Sequence, residues 1–222
     1  MGRTLGAGDT DRGRRQVADS LLLALIVMTG LAGLAGALMA PLFDLLGAEP
    51  GLRPLIRAYM VPWLIGVPLL VVTMVGNSAL RASGDTLTPS VIMALGGLIN
   101  GLLDPLLIFG WGPVPGSGLQ GAALASLASW IVVLAVNQYW LTHRPVLVTW
   151  YRPGVKELLA SWRAHLRISL PAAGSNVMPP LANGALTALV AQHGAAAVAG
   201  FGVGIRIEAF ALVVALAFAG AL

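Results

Sequence analysis

Thr88-Pro-Ser-Val-Ile-Met-Ala-Leu-Gly-Gly-Leu-Ile-Asn-Gly-Leu-Leu-Asp-Pro-Leu-Leu-Ile-Phe-Gly110 is an apolar stretch that contains one carboxylate, Asp104. About 20 apolar residues suffice for a helix to cross the ~30 Å hydrocarbon core of a bilayer, so this stretch reads as a membrane span. An ionisable group there costs about 3 kcal/mol on insertion scales and is by default functional, serving an ion, a proton or a polar substrate. Asn100 lies four residues before Asp104, which puts both on one helix face. Pro105 has no N–H, so the carbonyl of Gly101 loses its helical donor and a kink is expected. Gly96, Gly97 and Gly101 thin the same helix and are expected to admit a neighbour closely. Carboxylate, amide and freed carbonyl are hard oxygen groups, suited to a proton or an alkali cation.

Five further apolar runs surround this one, at about Leu21–Leu46, Tyr59–Leu80, Leu119–Leu141, Ile168–Ala191 and from Ala195 to Leu222. Their apolar residues fill every helix face and do not alternate, which predicts an all-α integral membrane protein, a polytopic bundle of six spans. The basic residues Arg3, Arg12, Arg14, Arg15, Arg81, Arg144, Arg152, Lys156, Arg163 and Arg167 fall in alternate connections, against Arg53 and Arg57 in the others. By the positive-inside rule the first set is cytoplasmic. Trp63, Trp111, Tyr139, Trp140, Trp150 and Tyr151 sit near span ends, where amphipathic rings favour the interface, whereas Trp130 is mid-span. In the long connection 142–167, Val155, Leu158, Leu159, Trp162 and Leu166 recur at helical spacing, which predicts a short helix on the inner membrane surface and a boundary between two bundles.

Composition agrees. Of 222 residues 57% are hydrophobic and only 10% charged, and mean hydropathy is +0.85. A soluble domain carries about 25% charged residues. The excess of 13 Lys and Arg over 9 Asp and Glu is explained by topology, with no nucleic-acid partner expected. Without cysteine there is no disulfide framework or thiol nucleophile. The polar start, Met1–Ser20, has no apolar core and does not read as a signal peptide.

Other polar residues have ordinary readings beside functional ones. Asn77, late in the second span, suits interhelical hydrogen bonding, and Ser126 suits close packing or a bond to its own backbone. Arg81 and Asp85 bracket the cytoplasmic turn Ser83-Gly84-Asp85-Thr86, where an interfacial anchor and turn chemistry account for both. Arg206 and Glu208 lie inside the last span and do not face each other at i, i+2; they would line a water-filled cavity or pair with other helices. Pro171, Pro179 and Pro180 interrupt the fifth span, and His143, His165 and His193 have no metal spacing. No span holds a nucleophile–base pair, so a membrane-embedded enzyme is disfavoured.

The run Asn77-Ser-Ala-Leu-Arg-Ala-Ser-Gly-Asp-Thr86, then Pro89, Gly97-Leu-Ile-Asn-Gly-Leu-Leu-Asp-Pro-Leu-Leu-Ile-Phe-Gly110 and Gly118-Leu-Gln-Gly-Ala-Ala-Leu-Ala-Ser126, resembles the multidrug and toxic compound extrusion (MATE) family. Leu5-Gly-Ala-Gly-Asp-Thr-Asp-Arg-Gly-Arg-Arg15 is similar to that family's loop between helices two and three, and Ala197-Val-Ala-Gly-Phe-Gly-Val-Gly-Ile-Arg-Ile-Glu208 to its eighth helix. The pattern looks closer to the family's prokaryotic DNA-damage-inducible branch. The resemblance implies helices three to eight of a two-lobe, twelve-helix transporter. It implies a cytoplasmic loop over 1–20, amino-lobe spans over 21–141, an inter-lobe connection over 142–167 and the start of the carboxy lobe over 168–222. It further implies an antiporter of the bacterial inner membrane, driven by H⁺ or Na⁺ and needing no cofactor, that exports amphipathic, mostly cationic compounds by alternating access.

The family's amino-lobe cation site maps onto Asn77, Asn100, Asp104 and Ser126. It also uses an aspartate on a first helix that this chain lacks, and Pro179 stands where some members carry a glutamate. The polar beginning and the end inside a span lead to the expectation of a fragment that needs the remaining helices of the same transporter. A lipid-linked oligosaccharide flippase of the wider superfamily is the rival within this class, but of the cavity cations it needs only Arg206 qualifies. A non-transporting truncated remnant is the rival outside it.

Overall fold

The computed structural model describes residues 10–111, 114–143 and 155–221. They form helices α1 (Thr10–Ala37), α2 (Met39–Leu45), α3 (Arg53–Ala82), α4 (Leu87–Phe109), α5 (Gly118–His143), α6 (Val155–Ala191) and α7 (Ala195–Ala221), with a 3-10 turn at Pro50–Leu52 before α3. Two-residue strands β1 (Gly110–Trp111) and β2 (Val114–Pro115) pair antiparallel between α4 and α5, with Gly110 opposite Pro115. Arg3, Arg144, Trp150, Tyr151 and Arg152, which helped to set the orientation, lie outside the described residues.

Among the described residues five helices are long and apolar enough to cross a membrane: residues 13–37 of α1, then α3, α4 and α5, and residues 195–212 of α7. Only 6% of the apolar stretch of α4 is buried against protein, and none of that of α7. Apolar helices with so little covering protein present their side chains to lipid, so this is an all-α polytopic membrane bundle. The expected span Ile168–Ala191 falls short of the other five because Asn176, Asn183 and three prolines dilute its apolar residues.

Three boundaries differ from expectation. α1 begins at Thr10, inside the segment expected as loop, and buries Val17 and Leu21, one turn apart on the same face. The expected span Leu21–Leu46 divides after Ala37. Pro41 has no N–H to offer the Ala37 carbonyl, so the first helix ends there and α2 starts afresh with Pro41 in its first turn. The expected surface helix after residue 154 and the fifth span are one unbroken helix of 37 residues, α6, which continues through Pro171, Pro179 and Pro180. α4 likewise continues through Pro105.

Contacts divide the chain into two compact units, Met1–Ala37 with Pro54–Leu170, and Leu38–Arg53 with Pro171–Leu222. The first has a core of Val17 and Leu21 from α1, Val72, Ala79 and Leu80 from α3, Ile92 from α4, and Val133 and Leu141 from α5. α4 and α5 pack alongside each other, joined by the short hairpin. The start of α6 is tied to α1 by a hydrogen bond from the Trp162 indole N–H to the Asp19 carbonyl (3.2 Å) and by a contact between His165 Nε2 and Ser20 Oγ (3.1 Å). Trp130, out of place as an interfacial aromatic, meets Trp63 edge to face at 6.2 Å, so its mid-span position serves packing. In the second unit Arg53 Nη2 pairs with Asp44 Oδ1 at 2.7 Å in a half-exposed ion pair.

The turn between α3 and α4 positions the site that follows. The Gly84 N–H donates to the Arg81 carbonyl (3.0 Å) and the Asp85 N–H to that of Leu80 (3.1 Å), the paired bonds of a Schellman motif. Gly84 has φ +90°, a conformation that side chains disfavour, which is why glycine ends this helix. The Asp85 carboxylate then accepts from the Thr88 N–H (3.0 Å) and hydroxyl (2.7 Å) and satisfies the entry to α4. The turn chemistry expected of Asp85 therefore accounts for it.

Candidate cation and substrate site

α3, α4 and α5 each carry a polar stripe at helical spacing, and the three stripes meet. Asn77 and Arg81 on α3, Gly96 and Asn100 on α4, and Ser126 and Trp130 on α5 line a common cavity of about 460 Å³ within the first unit. At its α4–α5 wall the Asn100 side-chain amide donates to Asp104 Oδ1 (3.5 Å) and to Ser126 Oγ (3.4 Å). Both distances exceed the usual N–H···O range of about 2.7–3.2 Å, so these are weak contacts in a loose arrangement that can tighten. Asp104 is half-buried on the same face of α4, one turn beyond Asn100, and is not among the residues lining the cavity.

The structure therefore brings together three of the four residues to which the family resemblance gave a cation-binding role. Asn77 shares the cavity but is otherwise engaged. It is buried, and its side-chain carbonyl accepts from the Asn137 amide at 2.8 Å. Asn137 is fully buried, and its own Oδ1 has no partner among the described residues. That oxygen presses on Gly76, where a Cβ would collide with it, so the close approach of α5 to α3 requires glycine there.

Sequence reasoning missed Asn137, although the signal was present. It is an amide in the middle of an apolar run, spaced from Ser126, Trp130 and Val133 so as to share their helix face. Arg81 was read as an interfacial anchor; it also lines the cavity, with its guanidinium donating to Ser78 Oγ at 3.3 Å. Of the three glycines expected to admit a neighbour, Gly96 does so: Val133 Cγ2 lies 2.8 Å from where its Cβ would stand. Gly97 and Gly101 have open space within the chain at that position. Arg206 and Glu208 are both exposed on α7, and among the described residues no ion pair joins them to each other.

The MatE family profile matches residues 1–106. Over all 222 residues the chain is 41% identical to a protein named FAD transporter from Shewanella oneidensis, covering 100% of this chain and 49% of that relative. It is 28% identical over 212 residues to the probable multidrug resistance protein NorM of Thermotoga maritima, covering 94% of this chain and 45% of that relative. Among solved structures, the Vibrio cholerae MATE transporter VcmN in its bent form superposes with a TM-score of 0.75 at 30% identity, covering 97% of this chain and 48% of that one. The chain thus spans about half the length of the curated relatives it matches. Helical architecture, the polar cluster on its fourth and fifth helices, and relatives that match along its whole length agree that the chain belongs to the MATE family.

Proposed function

We propose that this chain supplies the amino-lobe coupling site of an H⁺- or Na⁺-driven exporter, working with the remaining helices of the same transporter. The observation that carries the proposal is the Asn100 amide between the Asp104 carboxylate and the Ser126 hydroxyl, a bridge from α4 to α5 inside an apolar bundle. An unprotonated Asp104 holds the Asn100 amide. Protonation weakens that carboxylate as an acceptor, and a bound cation replaces the amide as its partner and adds the counter-charge the amide lacks. Either event frees Asn100 and changes the α4–α5 bridge, which biases the bundle between two packings open to opposite sides. For a cation, Asn100 turned the other way presents its oxygen, and Ser126 Oγ and the Gly101 carbonyl opposite Pro105 are further oxygens on the same two helices. In this reading residues 21–141 belong to the amino lobe, 142–167 connect the lobes and 168–222 open the carboxy lobe.

Asp104→Asn in the transporter that carries this chain abolishes cation-driven efflux and leaves membrane insertion intact. Efflux that persists in this variant overturns the assignment.

Two substrate readings follow. The family resemblance favours amphipathic, mostly cationic compounds. The 41% identical relative is named an FAD transporter, which favours a flavin nucleotide. Comparing efflux of ethidium and of FAD from the same vesicles decides between them.

A further inference from the structure

From the donors that face the cavity we infer that it takes a phosphate-bearing aromatic compound, with the phosphate at Arg81 and Asn77. This inference rests on the export reading and narrows its substrate class.

Charge is the first argument. Arg81 is the charged residue among those lining the cavity, and the nearby carboxylate of Asp104 is not a lining residue. A cationic ligand in this cavity meets the like charge of Arg81 directly, whereas an anion gains a guanidinium, whose planar fork suits phosphate oxygens.

Hydrogen-bond direction is the second. The hydroxyls of Thr73 and Ser129, both on the lining, donate to their own helices, at the Leu69 carbonyl (2.9 Å) and the Ala125 carbonyl (2.8 Å), so they leave the cavity acceptor lone pairs and the donors must come from elsewhere. Asn100 directs its amide toward Asp104 and Ser126. The oxygen of Asn77 is occupied by Asn137 at 2.8 Å, so Asn77 has N–H groups left to offer the cavity it lines. Asn77 and Arg81 are four residues apart on α3 and therefore lie one turn apart on one face. Together they form a short ladder of donors on one side of the cavity.

Shape is the third. The wall also includes Met74, Met93 and Trp130, polarizable and aromatic surfaces that accept a flat ring. The cavity, about 460 Å³, is of ordinary size for small-molecule sites, which run from about 300 to 1,000 Å³.

The test uses inside-out vesicles from cells producing the transporter that carries this chain. Uptake is measured for FAD, for riboflavin (the same ring without phosphate) and for ethidium. Arg81→Gln is expected to raise the KM for FAD by about tenfold or more, the loss expected of a charge-assisted contact. Riboflavin uptake stays near wild type, and ethidium uptake is retained or rises because a like charge has been removed. Arg81→Lys keeps the charge without the fork and falls between. Asn77→Ala shows the same selectivity with a smaller shift.

An unchanged KM for FAD in Arg81→Gln overturns the inference. So does an equal loss for all three compounds, because that marks an anchor and not a ligand contact. A wild-type transporter that moves ethidium but not FAD overturns it as well and leaves the coupling reading standing. If Asn77→Ala instead abolishes cation-driven uptake of every compound, as Asp104→Asn should, Asn77 is a cation ligand and the donor assignment is wrong. Where Arg81→Gln fails to reach the membrane, Arg81→Lys with flavin fluorescence quenching in detergent reads the same contrast, and quenching equal to wild type overturns the inference. Continued FAD uptake in Asp104→Asn counts against the coupling reading alone.

Discussion

The α3–α4–α5 face and α7 both place polar side chains in apolar helices, and they treat them in opposite ways. On the first, Asn77 accepts from Asn137, and Asn100 bridges Asp104 and Ser126. On α7, Arg206 and Glu208 stand exposed, two residues apart and on different sides of the helix. The same rule flagged both regions, because an ionisable group in a span is costly wherever it occurs. Among the described residues, what separates them is whether neighbouring helices bring complementary groups to meet it. A functional site needs such neighbours, so the first region is the stronger candidate.

Several measurements would break or sharpen this contrast. The largest difference is expected in transport. Asp104→Asn should bring cation-driven efflux to the level of cells lacking the transporter, whereas Glu208→Gln should retain most of it; equal losses would make α7 as much a part of the coupling site as α4. Next comes packing. Gly76→Leu drives a side chain into Asn137 and should destabilise this chain in detergent by about 1–3 kcal/mol, the usual cost of overpacking, or more. Gly204→Leu on α7 has open space around it and should instead gain up to about 1 kcal/mol of helix propensity, so a lower Tm for both variants would argue against the difference in packing.

Smaller again is the amide pair. A double-mutant cycle on Asn77→Ala and Asn137→Ala should give a coupling of about 0.6 kcal/mol, and at most about 1.7, as for other interhelical hydrogen bonds in membranes. A coupling near zero would mean the two amides do not hold each other. The smallest effect is expected from the same cycle on Arg206→Gln and Glu208→Gln, where residues without a shared contact should add to within about 0.5 kcal/mol.

Part of the site was legible in the chain itself. Asn100 and Asp104 are four residues apart, and helical geometry alone puts them on one face, so their contact follows from local structure. The hydrogen bond from Asn100 to Ser126 links residues 26 positions apart and depends on how α4 and α5 are rotated against each other. No local signal reports that rotation; the residue match came from family resemblance. Asn137 escaped for the same reason. Its environment is set by Gly76, a residue on another helix, whose missing side chain lets the two backbones approach. Arg81 was legible as a charge at a span end, but not as part of the lining of a cavity that three helices build together.

The sequence by itself determined that this protein is helical and lives in a membrane. Long apolar runs with few charges have no other stable form in lipid, because every backbone hydrogen bond must be closed within the segment. It also determined where the costly carboxylate sits and which amide shares its face. Tertiary structure decided the rest: that α1 ends at Ala37 while α6 runs on through three prolines, that Asn77 turns to Asn137, and that the exposed Arg81 borders a half-open cavity. These outcomes depend on the depth and rotation at which helices dock, which side-chain volumes on several segments set jointly and no single segment encodes.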